Sequence, residues 1–317
     1  MTRSRPRLYR TRETNDAPLR NALSARFLPA LLILCFMIAA PAEARPVVVF
    51  LSDFGTTSEA PALCHGAILS VDPEIEVVDL THAVRPFDIR QGAEILGRAT
   101  TFPKGTVFFG VVDPGVGTAR QAIAIRTKDG SFFVAPDNGL LSTVIRTRGI
   151  AAAVRIDPAR VNPAWKPGTF DGRDLFAPAA AILASTHDLT RIGRSCDPSE
   201  LLLLEPSTGG IIATDGSLEG TYTSTDDPYG NIWTDLDRAT VLRAGLEVGT
   251  PLEITVGASH IRAPLVTAFG DTPPGQALAY FNSEDRLAFA LNLGNLRDSL
   301  RVSEGSPVTV RRAETGR

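Results

Sequence analysis

Up to about residue 196 the chain alternates short apolar runs with stretches of helical periodicity, and after Cys196 the helical pattern disappears. Val47–Leu51, Glu76–Leu80, Thr106–Val112 and Phe132–Ala135 are too short for helices, and their apolar content predicts buried strands. Pro61–Val71, Asp88–Thr100 and Leu140–Arg148 read as helices, and Asp174–Ser185 as an Ala-rich one. Strands that alternate with helices build βαβ units and a largely parallel sheet. Beyond Cys196 the runs Leu218–Thr223, Leu252–Val256, Leu278–Phe281, Leu287–Leu291 and Pro307–Val310 are separated by Gly and Pro clusters. That is the texture of a small antiparallel barrel or sandwich. The expected organisation is an α/β domain over residues 45–200 and an all-β, barrel-like domain over 205–313. Ser207-Thr208-Gly209-Gly210 is the expected linker.

The first 44 residues differ from the rest. Seven arginines precede the apolar run Phe27–Ala40, and Ala42-Glu43-Ala44 supplies small residues for cleavage. This reads as a secretory signal peptide cut after Ala44, with the remaining chain periplasmic or extracellular. An uncleaved anchor is the other reading, although a run of about 14 residues falls short of the ~20 that a spanning helix needs. Cys35 lies in the run, but Leu34 before it is not the small residue that lipidation requires. The whole chain has a formal net charge of −3. Because the leader is basic, the chain beyond Ala44 is more acidic still, and no basic tract offers a nucleic-acid surface. Cys64 and Cys196 show no metal-ligand spacing; they fit either a disulfide or, preferably, two buried thiols. No metal is expected.

One stretch has the layout of a site. The apolar run Thr106–Val112 leads into Asp113-Pro114-Gly115-Val116-Gly117, with Arg120 seven residues past the carboxylate. Pro and Gly force a turn there, and ligands of open α/β sheets gather at the carboxyl ends of strands. An Asp that caps its own turn beside a solvated Arg is an equal reading of this pattern taken alone.

The stretch Val111–Arg120 stands with six further blocks. They are Leu51-Ser52-Asp53-Phe54-Gly55-Thr56, Val78-Asp79-Leu80-Thr81-His82, Ala135-Pro136-Asp137-Asn138-Gly139-Leu140-Leu141, Thr169-Phe170-Asp171-Gly172-Arg173-Asp174, Asp226-Asp227-Pro228-Tyr229-Gly230-Asn231 and Ala290-Leu291-Asn292-Leu293-Gly294-Asn295. In content and order they resemble the S-adenosylmethionine hydroxide adenosyltransferases, relatives of the fluorinating and chlorinating enzymes that attack the same molecule. The resemblance runs over roughly residues 46 to 312. It implies an α/β domain followed by a β-barrel, and a homotrimer with sites between subunits. It also implies hydrolysis of S-adenosyl-L-methionine to adenosine and L-methionine, with S-adenosylmethionine as substrate and no cofactor. A binding protein that has lost the chemistry is the alternative, and a halogenase a more distant one.

The resemblance also assigns residues. Asp53 matches the aspartate on the ribose hydroxyls, and a carboxylate accepts two hydroxyl donors well. Phe87 falls where the halogenating relatives carry a tryptophan beside the ribose, although it also reads as core. Asp113 and Arg120 match two of the Asp-Arg-His set that holds and activates water in the hydrolytic branch. The halogenases lack this pair, and they carry an insertion where only Thr127–Ser131 stands here. The third member departs from the family, because Asp171 occupies the histidine position. Asp171 is then the base, or one carboxylate carries a proton, or turnover is impaired. Asp226 and Ser283 match positions at the amino-acid end of the ligand, and Asn231 an adenine contact. Phe269 matches an aromatic stacked on adenine, and Leu291 and Leu293 flank Asn292, where backbone groups reach the base. Ser58 replaces a family acid, and Glu284 an arginine of the halogenating branch. His82 is expected to tie down its loop.

Overall fold

The computed structural model describes residues 45–206 and 209–314. The expected leader and Ser207-Thr208 of the expected linker lie outside them. Fifteen strands form two sheets among the described residues. The first contains β1 (Val47–Ser52), β2 (Glu76–Thr81), β3 (Val107–Val111), β4 (Ala122–Thr127), β5 (Phe132–Pro136), β6 (Ile150–Ile156) and β7 (Gly193–Ser195). The second contains β8 (Ile211–Ile212), β9 (Leu218–Asp226), β10 (Asn231–Asp237), β11 (Pro251–Val256), β12 (Ser259–Pro264), β13 (Ala277–Phe281), β14 (Arg286–Leu291) and β15 (Pro307–Arg312).

The first sheet has the order β2-β1-β3-β5-β4-β6-β7. The first four strands in that order are mutually parallel, and β4, β6 and β7 extend the sheet antiparallel. Its central strands are apolar throughout because they are covered on both faces. Side chains alternate along a strand, so Val48, Phe50, Phe109 and Val134 meet α1 (Ala60–Val71) and the Ala-rich helix α4 (Ala177–Thr186). Val49, Leu51, Phe108 and Phe133 face the other side, with Leu96 of α2 (Ile89–Arg98) and Val144 of α3 (Ser142–Arg148). Stacked rings knit each layer: Phe50 on Phe109 at 4.2 Å between centroids, and Phe108 on Phe133 at 4.6 Å. Cys64 lies in the first layer and Cys196 packs against the second, so both are free thiols and the disulfide alternative does not form.

The second sheet runs β12-β11-β15-β9-β10-β14-β13, with β8 beside β9, and all its pairings are antiparallel. A bridge between Leu265 and Ala279 joins its two edges, which nearly closes a barrel around Leu218, Ile232, Ile254, Phe289 and Val310. Closure removes the exposed edges on which sheets aggregate. Two ion pairs cross from the first sheet's helical layer to the barrel: Arg98 to Glu284 at 2.6 Å, and Arg85 to Glu304.

Candidate active site

The site begins where β3 ends. Asn138 donates from its side-chain amide to the Val112 carbonyl (2.8 Å) and accepts from Leu140 N, so the Pro136–Gly139 turn fixes the end of the neighbouring strand. The chain then turns through Asp113–Thr118, with Val116 N donating to Asp113 O and Thr118 N to Gly115 O. Gly117 adopts φ +78°, a conformation that glycine reaches without strain. Gly115 serves a different purpose: a Cβ there would stand 3.3 Å from Arg120 Cγ, so its absence lets Arg120 fold back over the turn.

Arg120 does fold back. Its Nε donates to Asp113 Oδ2 at 2.8 Å, and its Nη2 donates both to that oxygen and, at 2.7 Å, to Asp171 Oδ2. The guanidinium also lies 5.1 Å from the centroid of the Phe176 ring. Burial by itself would lower the Arg120 pKa, but the bonds to Asp113 and Asp171 outweigh it and raise the group above its ordinary value. Asp171 immediately precedes a π-helical turn, Gly172–Phe176, that runs on into α4. Turns of this kind recur at functional sites, and a helix N-terminus suits a carboxylate.

Both Asp171 oxygens are engaged, since Trp165 Nε1 donates to Oδ1 at 3.0 Å. Asp113 differs. Its side chain is only 3% exposed, and Oδ1 is buried without a hydrogen-bond partner among the described residues. The repulsion expected of two adjacent carboxylates is relieved by the cation between them. What remains is a single acceptor, Asp113 Oδ1, with its capacity unused.

The carboxylates border a cavity of about 280 Å³, lined also by Asp53, Phe54, Phe87 and Phe170. It sits at the carboxyl ends of the parallel strands, as expected for an open α/β sheet. Asp53 follows β1, and its Oδ2 accepts the backbone N–H of Phe87 at 2.9 Å. Phe87 does not belong to the core. It is 71% exposed and holds φ +70°, a strained conformation for a bulky residue that the bond from Asp53 fixes in place. His82 anchors the same loops: its carbonyl accepts from Gly55 N (2.8 Å) and its ring bonds the Ser52 hydroxyl.

A second group of residues meets on the barrel. Asn231, Phe269 and Leu293 line a cavity of about 550 Å³ together with Tyr229, Leu291 and Asn295. Phe269 packs on the Tyr280 ring with centroids 5.0 Å apart. Leu293 is 86% exposed at φ +55°. Gly230 is required here, because it holds φ +70° and any Cβ would collide with the Asn295 side chain. Asp226 ends β9, where its backbone pairs with Asn231. Ser283 is exposed on the turn between β13 and β14 and lines neither cavity. Glu284 beside it faces Arg98.

The sequence-derived residues thus fall into two sets, Asp53, Phe87, Asp113, Arg120 and Asp171 on one sheet and Asn231, Phe269 and Leu293 on the other. The two cavities share no lining residue. Trp165, the indole that holds Asp171, was not anticipated. It lies in a stretch of Pro, Lys and Gly without periodicity, and only its aromatic character marks it.

Comparison with known proteins agrees with this arrangement. Residues 48–193 match the family described as the SAM hydroxide adenosyltransferase N-terminal domain, and residues 220–309 match its C-terminal domain. An (R)-S-adenosyl-L-methionine hydrolase of Thermus thermophilus is 38% identical, over 83% of this chain and 98% of that protein. A fluorinase of Actinoplanes sp. is 34% identical, over 86% of this chain and all of the relative. The crystal structure of an uncharacterized conserved protein from Thermotoga maritima superposes with a TM-score of 0.76 at 33% identity, over 84% of this chain and all of the other. With both domains matched in order, this chain belongs to the SAM hydroxide adenosyltransferase family.

Proposed function

We propose that this chain hydrolyses S-adenosyl-L-methionine to adenosine and L-methionine. Curated relatives named (R)-S-adenosyl-L-methionine hydrolase, at 35% to 38% identity over more than four-fifths of the chain, support that reading. The observation that carries it within the chain is the unpartnered Asp113 Oδ1 at a cavity shared with Asp53.

The chemistry asks little of the protein at the leaving group. The sulfonium already carries the positive charge that methionine takes away as a neutral thioether, so no acid is needed. A water oxygen forms a bond to C5′ while the C5′–S bond breaks, and the electron pair of that bond stays on sulfur. The water's proton passes to a nearby acceptor and then to solvent. The protein must hold water on the far side of C5′ in a site that excludes the bulk. Asp113 Oδ1 is the acceptor that orients it. Arg120 and Asp171 fix the Asp113 carboxylate, and Trp165 fixes Asp171. Asp53 receives the ribose hydroxyls, with Phe87 as an apolar wall beside the sugar. A free buried carboxylate oxygen welcomes an O–H donor and repels a halide, which weighs against halogenation.

The adenine end fits the barrel cavity of Asn231, Phe269 and Leu293, and the family resemblance assigns Asp226 and Ser283 to the amino-acid end of the ligand. Because the two cavities are separate within one chain, the reading includes a homotrimer in which a neighbouring subunit supplies the second half-site. It also includes export, on the basic and apolar character of residues 1–44. A second reading, adenosyl binding without turnover, is favoured by Asp171 at the family's histidine position.

Incubation of the purified chain with S-adenosylmethionine, followed by product separation, distinguishes these readings. Adenosine and methionine above the uncatalysed background support hydrolysis, and Asp113→Ala should then keep binding and lose turnover. Tight binding without product supports the binding protein. A 5′-halo-adenosine that depends on added halide supports halogenation. Light scattering at a monomer's mass would remove the trimer.

A further inference from the structure

On the opposite flank of the loop that carries Asp53, three side chains from two parts of the sequence converge: His65 of α1, and Asp79 of β2 with His82 just past it. We propose that they form a zinc site. Both imidazole Nε2 atoms lie close to one carboxylate oxygen, with His65 Nε2 at 2.7 Å and His82 Nε2 at 3.0 Å from Asp79 Oδ1. All three ligand atoms lie within 4.8 Å of one another.

A simple hydrogen-bonded clasp accounts for only half of this. His65 bonds Asp79, but His82 Nε2 is buried and has no hydrogen-bond partner among the described residues, despite its closeness to the same oxygen. The His82 side chain is only 10% exposed, and a buried ring nitrogen left unpaired costs free energy. Its other nitrogen is accounted for: Nδ1 meets the hydroxyl of Ser52, a fully buried residue, at 2.8 Å. A second partner on the far ring nitrogen is what orients a metal-binding histidine. Phe50 also holds the ring, edge-on at 4.6 Å.

The donor set selects the metal. Two imidazoles and one carboxylate suit zinc, which binds His nitrogen and Asp oxygen at ~2.0–2.2 Å in a tetrahedron. Bond lengths of that size put ligand atoms roughly 3.3 Å apart, a few tenths of an ångström beyond the 2.7 and 3.0 Å that separate Asp79 Oδ1 from the two ring nitrogens. Asp79 and His65 are partly exposed, which leaves an entry path and a fourth position for water. Asp79 and His82 are three residues apart at the end of β2, and the fold brings His65 of α1 beside them.

The site would also act on its surroundings. Ser52 directly precedes Asp53, and the His82 carbonyl accepts from Gly55 N, so the ion would stiffen both ends of the loop that presents Asp53.

The test uses the full chain, purified without a polyhistidine tag and stripped with a chelator. Calorimetric titration with zinc chloride should show one ion per chain, and cobalt(II) should give the intense visible absorption of a tetrahedral site. His65→Ala and Asp79→Asn lie on partly exposed positions and should each weaken zinc binding by about 100-fold or more, with the far-ultraviolet spectrum unchanged. Ser52→Ala should weaken it by roughly 10- to 100-fold. Absence of stoichiometric binding by the wild-type chain, or equal binding by His65→Ala and Asp79→Asn, would overturn the proposal and leave a hydrogen-bonded clasp.

Discussion

Replacing Arg120 by methionine keeps most of the side chain's volume and removes the cation that joins two carboxylates. Asp113 and Asp171 are 3% and 7% exposed, and each takes at least one bond from that guanidinium. Removing one partner of a buried ion pair costs about 3–5 kcal/mol, because the remaining charge stays buried. Here two charges of like sign remain, so the upper end of that range applies. At about 2–3 °C per kcal/mol for a protein of this size, the melting temperature should fall by roughly 10–15 °C near neutral pH. Adding Asp171→Asn to Arg120→Met removes one of the two like charges and should recover part of the loss at neutral pH. Thermal melts of the wild-type chain and both variants at neutral pH supply the comparison. A shift below about 2 °C for Arg120→Met, or no recovery in the double variant, would refute the view that Arg120 holds the two carboxylates together.

Three further outcomes are expected. Asp53→Ala removes the acceptor that fixes Phe87, together with the proposed ribose contact; at about 1.5–3 kcal/mol for a charged hydrogen bond, adenosine affinity measured by calorimetry should fall roughly 10- to 100-fold. Burial and then Glu284 push Glu94 above the usual carboxylate range, so its ionised form costs stability at neutral pH. Glu94→Gln should therefore raise the melting temperature at neutral pH, with the gain vanishing in acid, where the native carboxyl is already protonated. Burial raises the Cys64 thiol to about 12 and pushes Cys196 up as well. Neither should react quickly with a thiol reagent at mildly alkaline pH until the chain unfolds, when both should titrate as free thiols.

The parallel half of the first sheet was legible because strands buried on both faces must be apolar throughout, as Val47–Ser52 and Val107–Val111 are. Three of the strands that reading missed break this rule. β6 is IAAAVRI, with Ala and Arg in place of larger apolar residues, and β10 is NIWTDLD, whose polar Thr234 and Asp235 are buried because Thr234 donates to Leu287 O and Asp235 accepts from Thr221 N. β12, at the barrel edge, carries His and Arg on its outer positions. The site was legible in a similar way. Asp53 and Asp113 each follow a strand, so turn chemistry and the family resemblance both drew attention to them. The bond from Phe87 to Asp53, and the bond from Arg120 to Asp171, span distances in sequence that no local pattern encodes. Phe87 shows the limit well. An aromatic residue reads as core by default, and only its backbone at φ +70° reveals that it is held out into the cavity.

The most direct measurement is turnover of S-adenosylmethionine in oxygen-18-labelled water, with the adenosine product weighed by mass spectrometry. Attack of an Asp113-oriented water at C5′ puts the heavy oxygen into the 5′-hydroxyl of adenosine, and Asp113→Ala should nearly abolish its formation. Adenosine without the label, or labelled adenosine formed equally well by Asp113→Ala, would contradict the proposed role of Asp113.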